Sequence, residues 1–220
     1  MTDRISTADL KRMLAEAARR LREQHEVLSQ LDSVAGDGDH GIAMLRTAEQ
    51  LEAAVQDTAS PSPRALLEDA GWKVLGVDGG ASSALFGTFF TGMADAAGEI
   101  DFDCGALAAI FESGMNAVLK QTKARPGDKT MVDALAPAVS ALRAAAASGA
   151  PVPAALEQAA AAALAGAEST KALVARYGRA KFQGEKTLGH TDAGAASMAL
   201  LFQGFSEAFT PQGEIHHGGH

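Results

Sequence analysis

Residues 7 to 32 read TADLKRMLAEAARRLREQHEVLSQLD and set Leu10, Met13, Leu14, Ala17, Leu21, Val27 and Leu31 at spacings of mostly three, four and seven. Such spacing lines one apolar stripe along a helix and leaves Lys, Arg and Glu on the other face. Thr7 is the expected N-cap, and the glycines after Asp32 end the helix. Outward from this stretch the pattern repeats over 41–57, 63–76, 82–97, 104–122, 129–148, 151–174 and 193–208, which makes eight helices. Composition agrees: 47% of the chain is hydrophobic but only 5% aromatic, with alanine dominant in AAAA at 144–147 and AAAAALA at 159–165. Alanine is the best helix former, and no run alternates in the way a strand requires. The fold class expected is all-α.

No repeat of fixed period interrupts the chain, and the one linker-like stretch, QDTASPSPR at 56–64, is too short to mark a domain boundary. The expected organisation is one domain over 1–210 and a flexible tail over 211–220 that carries His216, His217 and His220. Nineteen Lys and Arg against 27 Asp and Glu leave a net charge of −8, which argues against nucleic acid or an anionic membrane surface as partner. A single cysteine, Cys104, excludes an internal disulfide, and no C-x2-C zinc set is present. The N-terminus has no apolar signal region, and no uncharged apolar run reaches the roughly 18 residues of a membrane span. A soluble, cytoplasmic protein is the expectation.

Four of the connections between helices are rich in glycine and polar residues: VAGDGDHG at 34–41, VDGGASS at 77–83, RPGDKT at 125–130 and the stretch 178–194. In a bundle of short-looped helices alternate loops fall at the same end, so these loops are expected to meet on one rim. The first holds Asp32, Asp37 and Asp39 on a backbone loosened by Gly36, Gly38 and Gly41. Three like charges this close repel one another, and a hard divalent cation with oxygen ligands, Mg²⁺ above all, would use them. GDGDHG matches G-x-G-x-x-G, yet it follows a helix and its acidic positions would repel a bare pyrophosphate. An EF-hand loop starting at Asp37 would need Glu where Ala48 stands. Gly127-Asp128-Lys129-Thr130 ends like a Walker loop but has no glycine before Lys129.

Asp78-Gly79-Gly80-Ala81-Ser82-Ser83 opens an apolar helix, which is a phosphate cradle or, more plainly, a glycine turn with a serine cap. The GDKT loop carries the same choice between phosphate contact and a helix cap at Asp128 with Lys129 exposed. In the last stretch Arg179 is the natural bidentate partner of phosphate oxygens, and Asp192 is a candidate N-cap.

Taken together, D-x4-D-x-D-H-G at 32–41, GGAS at 79–82, PGDKTM at 126–131 with Asp133, and GR…GE…GH-x-D-x-G at 178–194 resemble the nucleotide-binding L subunit of the dihydroxyacetone kinase family. The resemblance spans nearly the whole chain. It implies a barrel of eight antiparallel helices with a nucleotide site at one rim. It also implies that Asp32, Asp37 and Asp39 hold two Mg²⁺ ions against the phosphates of ADP or ATP, and that with Arg179 they form the catalytic set. By the same resemblance His40, Gly41, Ser82, Ser83, Thr130, Met131, Arg179, Asp192, Ala193 and Gly194 bind the nucleotide. The family's ketose is held by a separate K-type subunit, so this chain is expected to be half of a kinase. Its donor is either ATP or a multiphosphoryl M-type phosphotransferase protein, and a homodimer is left open. Three departures stand out: Ser83 where the family usually has Gly, Ala43 where Asn is frequent, and Ala193 where D-P-G is familiar. They keep in view a kinase subunit for another sugar or an acyl substrate, or a module that senses nucleotide without turnover.

Overall fold

A computed structural model describes residues 4–57 and 61–210. The tail at 211–220, with its three histidines, lies outside the described residues. The first amphipathic run is two helices, α1 (Thr7–Glu23) and α2 (His25–Ser33), broken at Gln24. At the break His25 Nδ1 lies 2.7 Å from the Arg22 carbonyl oxygen, which the interrupted ladder leaves without its own partner. Ser6, not Thr7, caps α1, and it does so reciprocally: the Ser6 hydroxyl accepts from the Asp9 amide and the Asp9 carboxylate accepts from the Ser6 amide.

The helices that follow are α3 (His40–Gln56), α4 (Pro63–Leu75), α5 (Gly80–Ala96), α6 (Cys104–Gln121), α7 (Val132–Ala147), α8 (Val152–Ser169) and α9 (Ala193–Glu207). Two 3-10 segments, Thr170–Ala172 and Arg179–Thr187, fill the α8–α9 connection, so the expected helix over 151–174 ends at Ser169. Strands are confined among the described residues to an antiparallel pair of two residues each, β1 (Arg4–Ile5) and β2 (Phe102–Asp103).

Eight helices form a closed ring, since α1 packs on α3, α3 on α4, and so on through α9, which returns to α1. The short α2 stands outside this ring against α3 and α9. The eight-helix barrel is thus present, and the extra helix is the broken end of its first run. Small residues permit the close crossings: a Cβ on Gly204 would lie 2.4 Å from Ala17 Cα, and one on Gly71 would lie 2.5 Å from Thr91 Cγ2. Inside the ring Phe86, Phe89, Phe90, Phe111, Phe202 and Phe205 are fully buried, and the last five form tilted and edge-on pairs with ring centroids 5.5 to 5.9 Å apart. Six phenylalanines therefore fill a barrel whose walls are mostly Ala, Leu and Gly.

The ends of the barrel differ. The α3–α4, α5–α6 and α7–α8 connections meet at one end, where Arg64 donates to the Ala97 carbonyl and the residues around Asp103 face 149–152. The α2–α3, α4–α5, α6–α7 and α8–α9 connections meet at the other, and these are the four polar, glycine-rich loops. No helix among the described residues is long and apolar enough to cross a membrane.

Candidate nucleotide and metal site

Asp32 sits in the last turn of α2 and Asp39 directly before α3, with Asp37 in the turn between them. That turn wraps the Asp32 side chain: Asp32 Oδ2 accepts from the Gly38 amide at 2.8 Å. A Cβ on Gly36 would lie 2.2 Å from Asp32 Oδ1, so only glycine permits the approach, and Gly38 adopts φ +79, which glycine takes without strain. The result is one oxygen from each of the three carboxylates within 4.8 Å of the others. Asp32 is half-buried and the other two are exposed. A cluster of hard oxygen donors with two open members fits a divalent cation that keeps ligand positions for phosphate and water. The Arg179 guanidinium bonds Asp37 and lies 3.4 Å from Asp39 Oδ2, which offsets their mutual repulsion.

The triad stands at the mouth of a cavity of about 360 Å³, a volume in the range of cofactor sites. Its walls come from all four loops. Gly79, Gly80 and Ser82 line it at the start of α5, Thr130 and Met131 line it before α7, and Arg179, Asp192, Ala193 and Gly194 line it around the α8–α9 connection. His40 also faces it; this ring is buried, with Nε2 3.1 Å from Ser197 Oγ, and burial pushes its pKa down. An uncharged imidazole follows at neutral pH. Thr122, Ala124 and Tyr177 line the cavity as well and have no sequence motif that announces them.

Two of the expected nucleotide residues sit elsewhere. Gly41 backs onto α2, where a Cβ would lie 1.9 Å from the His25 carbonyl oxygen. Ser83 is fully buried behind the α4–α5 turn, its hydroxyl without a hydrogen-bond partner and pressed against Gly79.

The GDKT loop also departs from the plain expectation. Asp128 does not cap α7: its Oδ2 accepts from the Arg125 amide at 2.8 Å, and its Oδ1 pairs with Arg176. Asp133 organises the loop from inside α7 by accepting from the Gly127 and Thr130 amides. Lys129 is not exposed. It is 4% accessible, and its ammonium donates to the backbone carbonyls of Thr170 and His190. Nothing in the local sequence signals this burial, because the acceptors come from about 40 and 60 residues away. Asp192 does cap α9, accepting from the Ala195 amide at 2.8 Å. Burial, with the Asp133 and Asp32 charges adding to it, pushes its pKa up to about 6 against the pull of that amide and of Lys129.

The DAK2 domain model matches residues 34–207, and the chain belongs to that family. It is 38% identical over 181 residues to the ADP-binding subunit DhaL of the PEP-dependent dihydroxyacetone kinase of Escherichia coli, covering 82% of this chain and 86% of that protein. Over 191 residues it is 36% identical to the corresponding subunit of kinase 1 of Listeria innocua, covering 87% of this chain and 91% of that protein. Among solved structures, the dihydroxyacetone kinase of C. freundii in complex with AMP-PNP and Mg²⁺ superposes with a TM-score of 0.69 at 26% identity. That match takes in 94% of this chain and 35% of the longer kinase, so this chain spans about a third of that enzyme.

Proposed function

We propose that this chain is the nucleotide-binding, phosphoryl-transferring subunit of a kinase for dihydroxyacetone or a related ketose. The observation that carries the reading is the Asp32, Asp37 and Asp39 cluster at the mouth of a cavity walled by all four polar loops. Those three carboxylates would hold Mg²⁺, two ions by the family resemblance, which when bound neutralises charge on the phosphates. Arg179 already bridges two members of the cluster, and its guanidinium would turn to phosphoryl oxygens when the carboxylates have cations to bind. Gly79, Gly80 and Ser82 line the same space at the start of α5, where N–H groups and the helix dipole favour an anion. Met131 offers an apolar wall for the base or sugar. His40, uncharged and held by Ser197, supports the floor without adding charge.

These residues bind, orient and neutralise; the hydroxyl beside His40, that of Ser197, is fully buried and donates to the Gly194 carbonyl, so it is not set to attack a substrate. The acceptor hydroxyl would therefore be presented by a K-type partner docking at this rim. Replenishment of the phosphoryl group would come from ATP or from an M-type phosphotransferase protein. All four walls come from one chain, so a second copy is not needed to complete the site. Asp39→Asn is expected to abolish Mg²⁺-dependent ADP binding in calorimetry while helical circular dichroism stays unchanged. Undiminished affinity in that variant would sink the metal assignment.

A further inference from the structure

The α6–α7 and α8–α9 loops carry different walls of the cavity; Arg176 pairs with Asp128 and Tyr177 donates to the Lys123 carbonyl near their outer edge, and the buried Lys129 ties them together inside. Lys129 Nζ donates to the Thr170 carbonyl at 2.6 Å and to the His190 carbonyl, one acceptor at each end of the 170–190 excursion. From Thr170 the connection continues, because its hydroxyl accepts from the Asp192 amide at 2.9 Å. Asp192 in turn caps α9, which starts at Ala193. Lys129 is thus followed directly by Thr130 and Met131 on its own loop and reaches Asp192, Ala193 and Gly194 through two hydrogen bonds on the other.

The backbone at this position is unusual in a way that points to the side chain. Lys129 has φ +60, and it is the one residue other than glycine with positive φ among the described residues. A left-handed conformation costs a residue with a Cβ about 1 kcal/mol, and burying an ammonium costs more unless it is well bonded. Glycine would relieve the first cost and any apolar residue the second. Lysine resolves neither, but it spans the gap with donors for two carbonyls. Its charge is further offset by the carboxylates of Asp192 and Asp133, which lie near enough to favour the ammonium.

We infer that Lys129 is a positioning residue for the nucleotide site, a buried clamp that holds the Thr130–Met131 wall in register with the Asp192–Gly194 wall. This rests on the nucleotide-binding reading above. The test measures Mg²⁺·ADP affinity by calorimetry for the wild type, for Lys129→Ala and for Thr170→Val, together with helical circular dichroism and with added propylammonium. The expected result is a dissociation constant raised about tenfold or more in Lys129→Ala with helicity retained, an increase of roughly 1.4 kcal/mol in binding free energy. Propylammonium, filling the space left by the lysine side chain, should restore affinity in a saturable way, whereas a lysine that only stabilised the fold would lower helicity together with affinity. Thr170→Val, which leaves the lysine's own bonds and removes the link to Asp192 together with the hydroxyl's bond to the Ala167 carbonyl, should raise the constant by a smaller factor. Lys129→Ala affinity within twofold of wild type overturns the clamp. If that variant does not fold, Thr170→Val decides alone, and unchanged affinity there overturns it. A wild type that binds no Mg²⁺·ADP overturns the nucleotide reading itself, and the clamp's role falls with it.

Discussion

Gly41→Ala sets two effects of opposite sign against each other. Gly41 lies in the first turn of α3, where replacing glycine by alanine normally stabilises a helix by about 0.5 to 1 kcal/mol. The added Cβ, however, would lie 1.9 Å from the His25 carbonyl oxygen, 2.4 Å from Ser29 Oγ and 2.7 Å from the Ser29 amide nitrogen. Two of these three atoms are backbone, so no rotamer change removes the clash, and α2 must retreat by about 1 Å to reach the 3.0 Å that real Cβ atoms respect. Overpacking of this kind costs about 1 to 3 kcal/mol, and a clash with backbone belongs at the upper end. The net expectation is a loss of about 2 kcal/mol, seen as a melting temperature lower by roughly 4 to 8 °C for a chain of this size. Because Asp32 rides on the last turn of α2, the same retreat pulls it away from Asp37 and Asp39, and Mg²⁺·ADP affinity should fall as well. Differential scanning calorimetry of the metal-free variant reads the first effect and titration calorimetry the second. A melting temperature equal to or above wild type would refute the steric argument. Lost affinity without lost stability would return Gly41 to direct contact with the nucleotide.

Two further predictions follow the buried polar groups. Asp192 ionises near 3.8 in the unfolded chain and at about 6 in the fold, so between those values the folded protein keeps a proton that the unfolded one has released. Stability from this residue therefore falls as pH rises through that window, by at most about 3 kcal/mol because part of the side chain borders the cavity. Urea midpoints in EDTA from pH 4 to 7 should show that fall in wild type and a shallower one in Asp192→Asn, which still caps α9; parallel profiles would count against it. Ser83→Ala removes a buried hydroxyl that has no partner, and should raise stability by about 1 kcal/mol in urea denaturation with nucleotide affinity unchanged. A loss of affinity there would restore Ser83 to the phosphate cradle.

The helical class was legible in the spacing of Leu10, Met13, Leu14, Ala17 and Leu21, all now buried, because an amphipathic stripe is a local property of the chain. The meeting of four polar loops on one rim was legible too, since alternation of short-looped helices needs no knowledge of which helices touch. The acid cluster could be read because its three members and the glycines that fold them lie within ten residues. Other features were beyond that range. The break at Gln24 lies inside an unbroken apolar pattern and shows only where α2 leaves the ring to pack on α3 and α9. Gly41 and Ser83 belong to motifs whose neighbours face the cavity, yet they themselves pack against the His25 carbonyl and Gly79. Lys129 looks like a solvated loop lysine until Thr170 and His190 are placed around it. Sequence by itself determined the helices, the loop chemistry and the acid triad, because periodicity and short-range spacing act within a few turns of chain. Which residues line the cavity and which tie its walls together was decided only by tertiary structure, because burial and hydrogen-bond acceptors come from segments remote in sequence.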